Sequence, residues 1–305
     1  HMGFAGVGAY TAALTSLALE RAGLFEASKA APGQLILVIL GCCLLGAIFA
    51  GLLGLLVGIP ALRLHGDYLA IVTLGFGLIV ENVIANLPFA GGDGLASGTA
   101  SSSLYANGLG LSTALQAKYV WFVLGITILC IAIMCMFIRS KYGRAIEAIR
   151  DDEIAAEAMG VNLAKHKSLS FVISSFFAGV SGALFAMFAT TVQAKVFTSA
   201  MTYEILLIVV IGGIGSVSGS CIASFLYIAC SEWWLRFLEN EAYIDAFKVP
   251  LLRNVFRRVV FSIIIMIVVL FFRKGIMGER ELPDLFRKRA KKAKKNVVEE
   301  GKADE

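Results

Sequence analysis

Long apolar runs alternate with short charged or glycine-rich connections along most of the chain. Crossing a hydrocarbon layer of about 30 Å takes roughly 20 mostly apolar residues as a helix, because each backbone N–H and C=O must find its partner inside the segment. Leu35 to Ile59 meets that length without a charge, and Tyr68 to Leu87, Tyr119 to Ile138, Leu169 to Ala189 and Val255 to Phe272 are comparable. Met2 to Leu19 is a shorter first run, while Tyr203 to Ile214 and Ser220 to Phe237 meet at the glycine-rich block 212–219. The pattern predicts an all-α, polytopic transmembrane helical bundle of about eight spans, with residues 1–272 in the membrane domain and 273–305 as a basic tail.

Composition agrees. Of 305 residues, 58% are hydrophobic and only 16% charged, and the mean hydropathy is +0.80; a soluble domain carries about 25% charged residues. The net charge of +5 is concentrated in the tail, where Arg287, Lys288, Arg289, Lys291, Lys292, Lys294 and Lys295 crowd together. After a membrane span, such a run points to a solvated anchor or to contact with anionic membrane lipids, and no nucleic-acid partner is expected. The six cysteines sit inside apolar runs with no ligand-type neighbours and read as small packing residues, so no metal site is expected. The first segment has neither a basic start nor a cleavage site, so it does not read as a signal peptide.

Orientation follows from lysine and arginine, which resist translocation when they lie in short loops. The connection 139–167 holds Arg139, Lys141, Arg144, Arg150, Lys165 and Lys167, whereas 88–118 contains only Lys118. The first is expected in the cytoplasm and the second outside. Eight crossings then place the C-terminus in the cytoplasm as well. Arg253, Arg257 and Arg258 fall at the outer end of the last span, where they would have to snorkel or face a polar cavity.

The connection 139–167 has its own pattern. Its Ala, Ile, Glu and Arg content favours helix, Asp151 and Asp152 can cap a second helix, and Gly160 can end it. Two short helices on the cytoplasmic face are predicted. Between two spans they would suit a lever pressed by a partner; the plainer reading is an ordinary interfacial loop.

Four blocks in this order resemble LivM-type branched-chain amino acid permeases, the membrane subunits of ATP-driven, binding-protein-dependent importers. They are residues 3–12 (GFAGVGAYTA); Asp67-Tyr68-Leu69-Ala70 with Thr73-Leu74 and the later Gly91-Gly92-Asp93-Gly94-Leu95; Gly143-Arg144-Ala145 through Ala148-Ile149-Arg150, Ala158-Met159-Gly160-Val161-Asn162 and Lys167 to residues 178–184; and Tyr203-Glu204-Ile205-Leu206 with 212–216 and Gly219. The resemblance implies an amino acid permease of the cell inner membrane, for which alternating access is the expected mechanism. Its partners would be a related permease subunit in a heterodimer, two ATP-binding subunits carrying ATP and Mg, and an extracytoplasmic solute-binding protein. It also implies further membrane segments ahead of residue 3, hence an N-terminally incomplete copy. Ser220 departs from the family, in which proline often follows the matching glycine. By the same resemblance, coupling to the ATPase would involve Gly143, Arg144, Glu147, Arg150, Glu157 and Gly160. No cofactor is expected on this chain. A urea or short-amide permease, or a self-sufficient secondary transporter or channel, is the alternative.

Candidates for the translocation path or a subunit contact are Tyr68, Thr73, Glu81, Asn82, Glu204, Gly212, Gly213, Gly215, Ser216 and Gly219. An ionised group at mid-bilayer costs on the order of 2.5–3.5 kcal/mol, so Glu81, with Asn82 and Asn86 beside it, is expected to face a cavity or partner unless it reaches the outer headgroups. Glu204 would serve a helix N-terminus. The block 212–219 is compatible with a turn, a close helix crossing or a broken helix. It lacks the Gly-Lys-Ser/Thr ending of a phosphate-binding loop. Gly179-Val180-Ser181-Gly182-Ala183 resembles the serine motif of intramembrane proteases, but His1, His65 and His166 all precede Ser181, and the base in such enzymes comes from a later helix. Helix packing explains that block more simply, and no enzyme is expected.

Overall fold

The computed structural model describes residues 1–21, 32–62, 67–86, 113–189, 192, 196–234, 243–244, 247–248, 275, 277 and 278. The expected span Val255 to Phe272, the arginines near its outer end, most of the connection 88–118 and nearly all of the tail lie outside these residues. The described helices are α1 (Met2–Arg21), α2 (Pro32–Ala61), α3 (Asp67–Asn86), α4 (Thr113–Ile138), α5 (Lys141–Asp151), α6 (Glu153–Ala158), α7 (Leu163–Ala189), α8 (Ser199–Gly212) and α9 (Val217–Ile228), the last running on into a π-helical turn, Ala229–Trp234. A two-rung antiparallel ladder, Tyr243–Ile244 with Phe247–Lys248, is the single departure from helix among the described elements. Among the described residues three helices are long and apolar enough to cross a membrane, at Ile39–Ala61, Val120–Ile138 and Leu163–Phe188. The bent pair α8–α9 makes a fourth if it counts as one, and α3 carries a shorter apolar stretch, Ile71–Ile84.

Helix starts differ from the hydropathy boundaries for a local reason. α7 begins at Leu163, ahead of the apolar run at Leu169, because Asn162 caps it by accepting a hydrogen bond on Oδ1 from the Lys165 amide at 3.0 Å. α8 begins at Ser199, ahead of its apolar run at Tyr203. Hydropathy marks where lipid begins, whereas a cap marks where the backbone begins to coil.

The chain forms two compact units, His1–Thr202 and Tyr203–Glu305. In the first, α1, α2 and α7 pack through small residues. Lipid is as apolar as leucine, so close backbone approach rather than hydrophobic burial holds such helices together. A Cβ added to Gly179 would lie 2.5 Å from the Ala50 Cβ and 3.0 Å from the Ala47 Cα, and one on Gly54 would lie 2.5 Å from the Ser175 Oγ. Gly8 abuts the Gly179 backbone, and Gly182 abuts that of Ala5. Around this seam Ala9, Ala12, Ala13, Cys42, Cys43, Ala47, Ala50, Ala183 and Ala186 are buried. Both GxxxG glycines of α2 are therefore used, since Gly58 meets the Phe171 ring. The α1 residue Phe4 stacks on Phe76 of α3 at 5.3 Å and edge-on to Phe171 at 5.7 Å. Cys42 and Cys43 are buried and fill this core as expected.

Candidate functional site

The connection between α4 and α7 folds as the charge pattern predicts, into α5 and α6. Ser140 caps α5, its side chain accepting from the Gly143 amide at 3.3 Å. Gly143 permits the tight reversal out of α4, since a Cβ there would strike the Ile138 backbone. Asp152, in extended conformation at φ −156°, closes α5 by donating its amide to the Ala148 carbonyl at 3.0 Å, and opens α6 by accepting on Oδ1 from Ile154 at 2.9 Å and Ala155 at 3.0 Å. Asp151, the second expected cap, instead ends α5 and pairs with Arg150 at 3.0 Å. Gly160 takes φ +83° and ends α6 in a Schellman motif, with Gly160 donating to Glu157 at 2.9 Å and Val161 to Ala156 at 3.1 Å.

The six coupling candidates are thereby gathered on one helix pair. Gly143 is buried and structural; Arg144, Glu147, Arg150, Glu157 and Gly160 are exposed. Arg150 bridges Asp151 and, at 3.8 Å, Glu147. Exposed pairs of this kind contribute about 0–1 kcal/mol, so these charges remain available to a partner. The pair is fixed to α7 by Lys167, whose Nζ lies 2.7 Å from Glu153 Oε1, and by the Tyr142 and His166 rings, 6.2 Å apart. Ile149 and Ala156 turn inward, whereas Ile154 and Met159 are 82% and 85% exposed. These two apolar side chains were not among the sequence candidates. Their only signal was two large apolar residues in a charged, cytoplasm-type loop.

Asp152→Ala is expected to weaken α6 by about 1 kcal/mol through loss of the cap, read as faster amide hydrogen exchange across 153–158. Asp152→Asn should retain protection, and unchanged exchange in the alanine variant would show that the cap is not what holds α6.

The path candidates fall into two groups. Tyr68, Thr73, Glu81 and Asn82 lie on α3 in the first unit. Tyr68 is 70% exposed and Glu81 half-buried. Thr73 Oγ1 donates to the Leu69 carbonyl at 3.0 Å, Asn82 Nδ2 to Leu78 at 2.8 Å and Asn86 Nδ2 to Asn82 at 2.7 Å, so each of these side chains is hydrogen-bonded along its own helix. In the second unit Gly212, Gly213, Gly215, Ser216 and Gly219 form the turn between α8 and α9, which is bent by 118°. Of the three forms open to this block, it is a turn at a helix break that also brings the two helices into close contact. Gly213 is at φ +108°, a conformation that glycine adopts at little cost. Ser216 caps α9 by accepting from the Gly219 amide at 3.0 Å. A Cβ on Gly212 would lie 2.6 Å from the Ser220 Cα, and Gly219 faces the Gly212 carbonyl in the same crossing. Glu204 is corrected in role: α8 starts at Ser199 and has no acidic residue in its first turn, so Glu204 stands in the second turn, exposed, beyond the reach of a cap or of the helix dipole. Ser181 donates to the Ala178 carbonyl at 3.0 Å on its own helix, while Gly179, Gly182 and Ala183 are buried against α1 and α2. That block is a packing seam.

The family model for the branched-chain amino acid transport system permease component matches residues 1–272. The chain is 34% identical over 218 residues to the high-affinity branched-chain amino acid transport system permease protein LivM of Escherichia coli (strain K12), covering 65% of this chain and 51% of that protein. LivM of Salmonella typhimurium is 35% identical over the same length and shares of coverage. The permease protein LivH of Salmonella typhimurium is 28% identical over 179 residues, covering 56% of this chain and 49% of that protein. The chain thus spans about half the length of these curated relatives. No solved structure matches it. With a family match running from the first residue through the last apolar segment, over a framework of apolar helices, the chain belongs to the family of branched-chain amino acid transport system permease components.

Proposed function

We propose that this chain is a membrane-spanning permease subunit of an ATP-driven importer, carrying branched-chain or closely related amino acids across the cytoplasmic membrane. Family membership supports the transport class. The single observation that carries the mechanism is the α5–α6 pair, a capped, outward-facing helical unit set between the long helices α4 and α7 and ion-paired to α7 through Lys167 and Glu153. A force on that pair is transmitted to both long helices together, which is what alternating access requires of a subunit driven from one side.

On this reading eight apolar segments lie in the membrane and the connection 139–167 and the basic tail face the cytoplasm. ATP and Mg sit on two separate ATP-binding subunits that grip α5 and α6. Similarity to both LivM and LivH proteins supports a heterodimer with a related permease. A solute-binding protein docks on the outer connections, including 88–118, and sets most of the solute preference. The path candidates on α3 and in the 212–219 turn would line the route or contact the companion subunit.

The test is reconstitution. The chain alone in liposomes is expected to show neither ATP hydrolysis nor leucine flux, and the assembly with its permease partner, ATP-binding subunits and binding protein is expected to take up leucine only with Mg-ATP. Flux through the chain alone would overturn this in favour of a self-sufficient transporter or channel; uptake of urea or a short amide with no leucine uptake would replace the solute.

A further inference from the structure

The helices α8 and α9 do not behave as two crossings or as one. α8 has 14 residues, about 21 Å at a rise of 1.5 Å per residue, and α9 together with the π-helical turn that continues it runs over 217–234, up to about 27 Å. α8 falls short of about 30 Å of hydrocarbon, so the pair does not make two crossings. Taken as one broken span they fare no better, because they are bent by 118° at the turn. Rods of those lengths meeting at that angle extend roughly 25 Å from end to end, since the second runs back along the first.

We infer that α8 and α9 form a re-entrant hairpin, which enters and leaves the membrane on the same face with residues 212–216 at its tip.

Three further observations agree. A turn can sit at membrane depth only where protein or a polar cavity satisfies its backbone groups, and this tip is largely satisfied from within. Gly213 donates to the Val209 carbonyl at 2.9 Å, Ser216 to Gly213 at 3.0 Å, and the Gly212 carbonyl accepts from the Met277 amide at 3.3 Å. Gly275 and Gly278, both at positive φ, close over Gly213, where a Cβ would lie 2.7 Å from the Gly278 carbonyl oxygen. Second, Ile214 at the tip is 76% exposed, and an exposed isoleucine suits hydrocarbon better than water. Third, the charge pattern excludes a single broken span. With 139–167 inside, α7 ends outside; a hairpin returns the chain outside, and the last apolar run then delivers the tail, with Arg287, Lys288, Arg289, Lys291, Lys292, Lys294 and Lys295, to the cytoplasm. A single broken span would put that basic run outside.

The test is cysteine labelling of the full chain, cleared of its six native cysteines, in intact cells and in inside-out vesicles. Lys195→Cys and Glu241→Cys flank the hairpin at charged positions. Both are expected to react with a membrane-impermeant maleimide in intact cells and to be protected in inside-out vesicles, while Ile214→Cys resists from either face and Arg144→Cys reacts only in the vesicles. Flanks that label from opposite faces, flanks that label from neither, or an Ile214→Cys that labels from the face opposite the flanks would each overturn the hairpin. The inference rests on the permease reading only in that the chain lies in a membrane. Labelling requires no transport, so a wrong solute or partner would show in uptake and leave this result unchanged.

Discussion

Gly182→Val is expected to yield no folded protein, and Gly182→Ala to fold with a melting temperature in detergent lowered by roughly 5–10 °C. The reason is the nature of the obstacle. A Cβ at position 182 meets the backbone of α1, with the Ala5 carbonyl carbon at 2.6 Å and its Cα at 2.8 Å. A side chain in the way could rotate; a main chain moves only if α1 and α7 part. Parting them would also open the neighbouring contact of Gly8 with Gly179. Overpacking ordinarily costs about 1–3 kcal/mol and more where backbone opposes it, against a total stability of about 5–15 kcal/mol; each kcal/mol shifts the melting point by about 2–4 °C at this size. Gly75→Ala and Gly125→Ala are the contrast. Nothing lies within 4 Å of a Cβ at either position, so alanine there should be neutral or stabilising by up to about 1 kcal/mol. Fluorescence-detected size exclusion and thermal melting read both sets, and a Gly182→Val protein that melts like the parent would show that α1 and α7 do not meet at this point.

Most of this architecture was legible because the bilayer imposes a length. Seven of the expected apolar runs coincide with described helices, and α5 and α6 were readable from their caps, because Asp152 and Gly160 act within a few residues of themselves. What stayed hidden depends on direction. Hydropathy reports that a segment prefers lipid and says nothing of the way its axis points, so Tyr203 to Ile214 and Ser220 to Phe237 read as two spans, whereas the helices there are short and bent by 118°. The small-residue seam was similarly ambiguous. Gly54-x-x-x-Gly58 looked like any glycine pair in a membrane helix, and only the placement of Ser175 and Phe171 against those glycines shows that both are used. At the candidate site, the sequence located the charged residues of 139–167 but passed over Ile154 and Met159. Their significance lies in exposure, which composition does not report.

Those two side chains carry the largest functional effect expected here. Ile154→Glu with Met159→Glu should abolish ATP-coupled leucine uptake, and the ATP-binding subunits should no longer copurify with the chain, while its melting temperature stays within about 2 °C of the parent. The side chains are 82% and 85% exposed, so replacing them removes little from the chain's own packing. On a partner surface the balance differs. Fully burying an isoleucine or methionine is worth about 1.5–3 kcal/mol, and a carboxylate carried into the same pocket forfeits that gain and adds the cost of an unpaired buried charge. A combined loss of about 3–6 kcal/mol would weaken association by roughly two to four orders of magnitude. Ile154→Leu with Met159→Leu should keep both copurification and uptake, because shape and apolarity are retained. Arg144→Ala would act more mildly, since a rim charge mainly alters the rate and salt dependence of docking. Deletion of residues 147–160 should match the double glutamate variant in uptake. If the glutamate variant instead imports leucine at the parental rate with its partners attached, α6 is not gripped by the motor, and the force must enter the chain elsewhere.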